Sequence, residues 1–333
     1  MNAADTLPRE RLDWIPLALV PALAAAALPF VPSLPTWITL TVAGLAMGMM
    51  IFMMASGLTL VFGLMDVMNF AHGAFISVGA YAAASVLLAM KAHAQADALG
   101  ANLLAIVPAV LAAIALAGVL GWFFERIVIR PVYGDHLKQI LVTMGGLIVV
   151  EQMIHVVWGP DMIALPRPAA LSGSFIFGEA AIERYRVLAV VVGLTVFAAM
   201  WLMLNRTRVG LLVRAGVENA EMVESLGYRI RRLFVGVFVA GSALAGLGGV
   251  MWAMYQESVN AQMGMQVMVV IFIVVIIGGL GSVEGCFIGA LLVGLMANYT
   301  GFLAPKVALG SNILLMVLIL LWRPQGLYPV AKR

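Results

Sequence analysis

The sequence predicts an all-α polytopic membrane protein with about ten transmembrane helices. Of its 333 residues, 63% are hydrophobic and only 11% are charged, and the mean hydropathy is +1.06, which fits no class of soluble protein. Apolar runs of roughly 20 residues, enough to cross a hydrocarbon core of about 30 Å, recur from end to end. These runs do not alternate between apolar and polar residues, which excludes a transmembrane β-barrel.

The apolar runs define the spans in order along the chain. The predicted spans are 14–32, 37–60, 71–90, 103–125, 139–158, 186–204, 233–255, 265–281, 285–301 and 310–322. The first is the weakest, because Pro16, Pro21 and Pro29 interrupt it and Arg9 and Arg11 precede it as in a signal peptide. No A-x-A cleavage site follows this run, so we expect an uncleaved first helix.

The basic residues set the orientation of these spans. With the N-terminus inside, 14 of the 19 lysines and arginines fall in cytoplasmic segments, and a span count changed by one would destroy this asymmetry. The five on the outer side are Lys91, Arg167, Arg184, Arg186 and Lys306. We therefore expect both termini inside. The basic residues form no aromatic-interleaved patch, which argues against a nucleic-acid partner.

The longest extracytoplasmic segment is predicted at 160–185. Pro166, Pro168, Gly173 and Gly178 surround a Ser-Phe-Ile-Phe run in this loop. Turn residues on both sides of a short apolar run are typical of a β-hairpin. We expect a hairpin here, on a surface where a partner outside the membrane can bind.

The longest cytoplasmic segment is predicted at 205–232. It carries charged residues at helical spacing, followed by a glycine that is suited to end a helix. These residues are Arg214, Glu218, Glu221, Glu224 and Gly227. The pattern predicts a short helix that lies along the cytoplasmic face.

Polar residues and glycines interrupt the apolar pattern between the second and third spans, where the chain reads GLTLVFGLMDVMNFAHG from Gly57 to Gly73. This predicts a broken helix. Asn69 is suited to cap the third helix, which would place Asp66 and His72 beside exposed amides at a helix N-terminus, and transporters often bind solutes at such breaks. The alternative is that these polar residues only satisfy backbone groups in a tight turn near the cytoplasmic interface.

A second interruption, GGLGSVEG from Gly278 to Gly285, separates the eighth and ninth spans and contains Gly281 and Glu284. With an offset of 212 residues, HGAFI at His72 aligns with EGCFI at Glu284, and both segments join an inward-going helix to an outward-going one. The alignment predicts a possible parallel internal repeat. Chance similarity in glycine-rich membrane sequence is the alternative.

Glu151 and His155 stand four residues apart on the fifth span and therefore share one helix face. An ionised carboxylate that faced lipid there would cost about 3 kcal/mol on insertion scales, so both side chains should face protein or water. Two interpretations stay open. The residues belong to a solute pathway or proton relay, or they form a mutually satisfied buried pair near the outer end of the helix.

The sequence carries no recognisable catalytic motif. It contains no G-x-x-x-x-G-K-[ST] nucleotide loop, no H-E-x-x-H and no G-x-S-x-G. The one cysteine, Cys286, lies in an apolar run, which argues against a disulfide framework or a cysteine-rich metal site. We therefore predict a transport protein without cofactor or metal and not an enzyme. Any ATP-driven work must then be done on another chain.

Three segments carry a recognisable pattern: GLTLVFG at 57–63, NFAHG at 69–73 and GAY at 79–81. Together they resemble the membrane permeases of ABC importers for branched-chain amino acids, a family that also includes permeases for urea and short amides. Supporting segments are RP at 130–131, ALP at 164–166, the stretch 207–215, GGLG at 278–281 and WRPQGL at 322–327. The resemblance covers residues 37–328.

The resemblance implies a pore of two permease subunits in a bacterial inner membrane, with two ATP-binding subunits inside and a solute-binding protein outside. It also implies that the segment from Arg214 to Gly227 is the coupling helix that sits in a groove of the ATPase, which agrees with the charge pattern. The chain departs from the family pattern in the acidity of 220–227 and in the pair Glu151 and His155.

The function that follows is import of branched-chain or related amino acids with ATP hydrolysed by partner subunits. Two alternatives stay open: a permease for urea or short amides, and a self-sufficient secondary transporter or channel, which the intramembrane acids and histidine motivate. The predicted pathway residues are Asp66, Asn69, His72, Gly73, Glu151, His155, Gly281 and Glu284. The predicted coupling residues are Arg214, Glu218, Glu221, Glu224 and Gly227.

Overall fold

The computed structural model describes residues 14–218 and 220–328, which are mostly helical. The helices are α1 (Trp14–Ala27), α2 (Leu34–Met65), α3 (His72–Ala89), α4 (Lys91–Ala94), α5 (Leu99–Phe124), α6 (His136–Trp158), α7 (Arg184–Arg206), α8 (Arg208–Glu218), α9 (Ala220–Ser225), α10 (Ile230–Gln256), α11 (Met263–Gly278), α12 (Val283–Leu303) and α13 (Ala308–Trp322). The strands are β1 (Ile163–Ala164), β2 (Ser174–Phe177), β3 (Ala180–Glu183) and β4 (Ser258–Val259).

The helices confirm the predicted fold class. In the described part of the chain, seven helices are long and apolar enough to cross a membrane: α2, α3, α5 with its extension to Val132, α6, α7, α10 and α12. Three shorter apolar helices, at Trp14–Phe30, Met263–Gly278 and Gly310–Trp322, coincide with the first, eighth and tenth predicted spans. The chain is an all-α polytopic membrane protein.

Helices α2, α3, α10 and α12 form the centre of the bundle. Every residue of α2 from Gly48 to Val61 is buried, and so is every residue of α3 from His72 to Ala84. A helix that is apolar and buried on all sides belongs in the interior of a bundle. By contrast, α5, α6 and α7 bury narrow stripes and expose large apolar side chains, as helices that face lipid or another apolar subunit do.

Glycines allow the central helices to approach closely. A Cβ added at Gly57 of α2 would clash with the carbonyl oxygen of Gly241 of α10. A Cβ added at Gly79 of α3 would clash with the backbone of Gly246, also of α10. Small residues at such crossings let membrane helices pack backbone to backbone, where lipid offers no hydrophobic driving force.

The segment predicted to be extracytoplasmic, 160–185, contains the predicted hairpin. Strands β2 and β3 pair antiparallel, from Ser174 opposite Glu183 to Phe177 opposite Ala180. A second, shorter pairing joins β1 to β4, with Ile163 opposite Val259. This pairing links the loop that follows α6 to the segment that follows α10.

The segment predicted to be cytoplasmic, 205–232, contains two helices, α8 and α9, where the sequence predicted one. Helix α9 ends at Ser225, and Gly227 follows with a φ of 89°, which glycine adopts without strain. The amide of Tyr228 donates to the carbonyl of Val223 at 3.2 Å, which closes the end of the helix. Gly227 therefore ends the helix as predicted. The side chains of Arg214, Glu218 and Glu221 lie outside the described part of the structure.

Candidate functional site

The first predicted break is a non-helical segment, 66–71, that turns back along α2. His72, at the start of α3, is buried and donates from Nε2 to the carbonyl oxygen of Met54 at 2.8 Å. Since α2 continues for eleven residues beyond Met54, to Met65, α3 begins about 16 Å back from the end of α2. The segment 66–71 is therefore re-entrant, and we call it the inner break.

Helix α6 holds the inner break by hydrogen bonds to its backbone. The amide of Met68 donates to Gln139 Oε1 at 3.3 Å, and the amide of Phe70 donates to Thr143 Oγ1 at 3.2 Å. Gln139 and Thr143 are buried and lie one turn apart on the same face of α6. Backbone that is neither helix nor sheet is tolerated at such depth only where a neighbour satisfies its polar groups.

The sequence analysis missed Gln139 and Thr143. The signal for them is a pair of hydrogen-bonding residues at positions i and i+4 of an otherwise apolar span, on the face that also carries Glu151. A polar stripe on a membrane helix must face a polar partner. Here that partner is a backbone segment of the same chain.

A second re-entrant segment, 257–262, precedes α11 and has the same backbone path as the inner break; we call it the outer break. Among the described residues, Asp66 and Glu257 are the only non-glycine residues with positive φ, at 51° and 53°. Three residues after each, an asparagine carbonyl accepts from the first amide of the next helix: Asn69 from His72 at 3.3 Å, and Asn260 from Met263 at 3.2 Å.

The two breaks meet at a pair of glycines. Gly73 and Gly264 follow the breaks at equivalent positions, 191 residues apart, and a Cβ added to Gly264 would clash with the carbonyl oxygen of Gly73. If α2 runs inward and α10 outward, this correspondence is an inverted one, of the kind found in many transporters. The parallel repeat with an offset of 212 residues stays a hypothesis.

The outer break is held by α3 and by the loop that follows α6. Ser77 Oγ donates to the carbonyl of Ala261 at 2.9 Å and accepts from the amide of Gly264 at 3.0 Å. The amide of Leu165 donates to the carbonyl of Glu257 at 2.8 Å, beside the pairing of β1 with β4. Helix α6 and the loop after it thus contact both breaks.

Several buried polar atoms at the breaks have no hydrogen-bond partner among the described residues. They are both amide atoms of Asn69, Nδ1 of His72 and Oδ1 of Asn260. The prediction that Asn69 caps α3 is therefore wrong: Ala71 occupies the N-cap position, and Asn69 contributes only its backbone carbonyl to the turn. The helix begins too late for the Asn69 side chain to reach its free amides.

The predicted residues of the first break separate into two environments. Asp66 ends α2 at the exposed end of the break, and one of its carboxylate oxygens lies 3.7 Å from His136 Nε2. His72 and Asn69 are buried, each about 1% exposed, and Gly73 packs on Gly264. The structure therefore brings together Asn69, His72 and Gly73 but leaves Asp66 at the surface.

The predicted break before α12 is a tight turn at the end of the bundle. Gly281, with φ of 84°, packs against Gly63 of α2, and Ser282 Oγ caps α12 by accepting from the amide of Gly285 at 3.0 Å. Gly63 lies six residues beyond Gly57, the neighbour of His72, so this turn is about 9 Å from His72 along α2. The two predicted breaks are thus separate.

Glu284 lies in the first turn of α12, beside the cytoplasmic segment. Asn205 Nδ2, at the end of α7, donates to Glu284 Oε1 at 3.4 Å. This contact joins the start of α12 to the segment that contains α8 and α9. Glu284 thus contacts the start of that segment, at Asn205.

Glu151 and His155 lie on the inner face of α6, beyond Gln139 and Thr143. Glu151 is 9% exposed, and neither its Oε1 nor Nδ1 of His155 has a hydrogen-bond partner among the described residues. Through these atoms the two residues do not satisfy each other. The pair leaves two hydrogen-bonding atoms without partners on the helix that holds the inner break.

The comparisons with known proteins decide the family. Residues 40–322 match the family model for the permease component of branched-chain amino acid transport systems. The chain belongs to this family. The matched region begins within α2 and ends in α13, so it contains both breaks, the hairpin and the cytoplasmic segment.

Individual relatives cover nearly the whole chain. The high-affinity branched-chain amino acid permease protein BraD of Pseudomonas aeruginosa is 30% identical over 308 residues, which are 89% of this chain and 97% of BraD. The corresponding protein LivH of Escherichia coli K12 is 26% identical over 85% of this chain and 92% of LivH. LivM of the same strain is 26% identical over 85% of this chain and 69% of LivM. No solved structure matches the chain.

Proposed function

We propose that this chain is the membrane-spanning subunit of an ABC importer for branched-chain or related amino acids, driven by ATP that partner subunits hydrolyse. The observation that carries this proposal is the similarity to BraD, which covers 97% of that permease. The architecture supports it, because two re-entrant breaks inside a helical bundle are typical of transporters. The permease itself makes and breaks no covalent bond.

We assign the other parts of the importer to separate chains. They are a second permease subunit, two ATP-binding subunits and an extracytoplasmic solute-binding protein. The similarity to both LivH and LivM supports a second permease, since one organism holds a permease of each name. The sequence contains no G-x-x-x-x-G-K-[ST] nucleotide-binding loop, which supports our assignment of ATP hydrolysis to another chain.

The proposed orientation puts the chain in a bacterial inner membrane with both termini in the cytoplasm. The loop 160–185, with its hairpin, then faces the binding protein, and 205–232 faces the ATPase. Helices α8 and α9 are the proposed coupling element, with Arg214, Glu218, Glu221, Glu224 and Gly227. Positive charge concentrated on one side of the membrane supports this orientation.

We propose that the breaks are where the permease changes conformation. When ATP binding pulls α8 and α9, Glu284 and Gly281 at the start of α12 receive the movement first, because Asn205 contacts Glu284. Asn69, His72 and Gly73 at the inner break then change the residues that they contact, as the permease switches between inward-facing and outward-facing conformations. Asp66, Glu151 and His155 supply further polar groups beside this path.

A transport assay tests the function directly. The complete complex in proteoliposomes, with its binding protein, should take up radiolabelled leucine, isoleucine or valine only when ATP is supplied to the ATPase side. Urea and acetamide serve as the competing solutes of the same family. Uptake of urea in preference to all three amino acids would replace the proposed substrate.

A self-sufficient transporter is the second candidate, and the unpartnered atoms of Glu151 and His155 favour it. The purified chain alone in liposomes distinguishes the two. An importer subunit should show no solute flux without ATPase subunits. Flux driven by a proton gradient and abolished in Glu151→Gln would instead establish the second candidate.

A further inference from the structure

A cavity of about 850 Å³ opens where α5 ends and α10 begins, outside the proposed pathway. Five of the residues that line it are arginines: Arg126, Arg130, Arg229, Arg231 and Arg232. We call it the arginine pocket. Two arginines come from the turn that extends α5, and three come from the first residues around the start of α10.

The arginines that line the pocket outnumber the acids that line it by five to two. None of the ion pairs between described side chains involves any of the five arginines. The acids in the lining are Glu125 and Glu224. Glu125 is buried and accepts from the Tyr133 hydroxyl at 2.9 Å. Counted by formal charge, the lining still has three more positive than negative groups.

Tyr133 belongs to the same charged cluster. Burial and the hydrogen bond to Glu125 raise the pKa of Tyr133, whereas the charges of Arg130 and Arg231 act in the opposite direction. The hydroxyl therefore stays protonated at neutral pH and donates to Glu125. Arg130 and Arg231 come from different elements, and both line the pocket.

The residues around the arginine pocket are of the types that occur at a membrane surface. Trp122 lines it, and the Arg126 guanidinium stacks over the Trp122 ring, 5.8 Å from its centroid. On the same helix end, Phe123 and Ile127 are exposed, as side chains that face lipid are. A tryptophan at the end of an apolar span marks the headgroup region, and arginines there extend toward it.

We propose that the arginine pocket binds the phosphate of an anionic phospholipid headgroup. Arginine matches phosphate geometry with paired N–H donors, and several converging arginines recognise phosphate in preference to a single carboxylate. Basic pockets between transmembrane helices on the cytoplasmic side bind acidic headgroups. A lipid is favoured over a protein partner because the pocket opens beside exposed apolar side chains of α5.

The consequence for the molecule is a lipid-dependent anchor beside the cytoplasmic segment. Gly227 and Tyr228, at the end of α9, also line the pocket. A headgroup seated there would tie the end of α9 to the ends of α5 and α10. The proposal does not depend on the transported solute, since lipid binding is measured without transport.

Native mass spectrometry of the purified full-length chain tests the proposal. The protein is incubated with equal amounts of phosphatidylglycerol and phosphatidylcholine, and retained lipids are counted by class. The test variant is Arg126→Gln with Arg231→Gln. The matched control is Arg206→Gln with Arg208→Gln, since Arg206 stacks over Trp201 at 5.9 Å in the same manner at the end of α7, outside the pocket.

We expect wild type and control to retain phosphatidylglycerol preferentially, and the test variant to lose about 30-fold in affinity for it. The charge-conserving variant Arg126→Lys with Arg231→Lys should restore most of the preference and shows that the loss is not misfolding. Equal retention of both lipids by wild type would overturn the proposal. So would equal losses in the test and control variants.

Two further measurements distinguish a lipid headgroup from the other possible occupants of the arginine pocket, a small anion and a protein partner. If millimolar inorganic phosphate displaces phosphatidylglycerol completely, the pocket takes small anions and the lipid assignment is wrong. If the test variant keeps its lipid but loses copurifying ATPase subunits, the pocket binds protein and the proposal is again wrong. Persistence of the lipid in phosphate, together with unchanged copurification, supports the headgroup.

Discussion

The inner break and the outer break share a backbone path but differ in how firmly they are held. At the outer break, Arg167 pairs with Glu257 at 3.2 Å and with Glu183 at 3.0 Å, and it also donates to the carbonyls of Met254 and Tyr255. Apart from Asp66, which lies near His136 at the exposed end, the inner break is held by two neutral side chains of α6. Charged hydrogen bonds are about twice as strong as neutral ones.

The two breaks also differ in the number of buried polar atoms that have no hydrogen-bond partner among the described residues. The inner break buries both amide atoms of Asn69 and Nδ1 of His72 without partners among the described residues, whereas the outer break leaves only Oδ1 of Asn260. An unpaired buried polar group raises the free energy of the packing that contains it. The comparison indicates that the inner break rearranges at lower cost and that the outer break is the fixed point.

The largest expected effect follows from the glycine contact that both breaks share. Gly264→Ala should reduce stability by about 3 kcal/mol, because the new methyl group meets the backbone of Gly73, which has no space to move. Unfolding in dodecyl sulfate measures this change. Gly145→Ala is the control, since nothing lies within 4 Å of a Cβ at that helical position, and it should be neutral or stabilising. Equal effects of both variants would mean that the breaks do not meet as described.

Removing the charged contacts of the outer break should have the next largest effect. Arg167→Met should destabilise the protein by about 2 kcal/mol, less than for a fully buried pair, since the Glu257 side chain is 54% exposed. Susceptibility of the loop 160–185 to protease should rise as well. Arg184→Met, which loses only a stacking contact on Phe175, is the control. If Arg184→Met lost more stability than Arg167→Met, Arg167 would not be the residue that contributes most to holding the outer break.

A smaller effect is expected at the inner break. Thr143→Val keeps the side-chain shape but leaves the amide of Phe70 unpaired, which should cost about 1 kcal/mol and increase hydrogen exchange at that amide. The control is Thr195→Val on α7, because that hydroxyl bonds only to the carbonyl one turn before it. If the loss for Thr143→Val exceeds that for Arg167→Met, the inner break is the firmer one and the comparison is reversed.

The sequence predicted the spans and the inner break well, but not the outer break. Span length and apolar runs are local properties, so the ten predicted spans coincide with helices. Glu257 and Asn260 follow the end of a predicted span, and their sequence is typical of an ordinary surface loop. How deeply a loop lies within the bundle depends on its packing, which the local sequence does not show. The spacing Asp66, Asn69, Gly73 recurs as Glu257, Asn260, Gly264, and this repetition is the signal that was available.

The sequence also predicted that Asn69 caps α3, and the structure contradicts this prediction. Asparagine is one of the residue types that commonly cap helices. In the turn before α3, however, Asn69 contributes only its backbone carbonyl, and its side chain is buried. A capping preference states what a side chain can do if the helix starts at the expected residue. The start of α3 is fixed instead by the contact of His72 with Met54, which no local pattern encodes.

The smallest effect on stability, and opposite in sign, is expected at Asn69 itself. Asn69→Leu replaces two unpaired buried polar atoms by apolar ones of similar size, so stability should rise slightly, by up to about 1 kcal/mol. If the inner break rearranges during transport, the same variant should slow ATP-dependent uptake, because Leu cannot gain partners in the other packing. Unfolding in dodecyl sulfate and uptake by the reconstituted complex are measured on one preparation.

The outer break supplies the control for this last variant. Asn260→Leu removes a side chain with one unpaired atom at the equivalent position, and its uptake should change less if the outer break is fixed. Equal slowing by both variants would show that the breaks move together. A loss of stability in Asn69→Leu would show that its amide is satisfied in the folded protein, and the inner break would no longer be the weaker of the two.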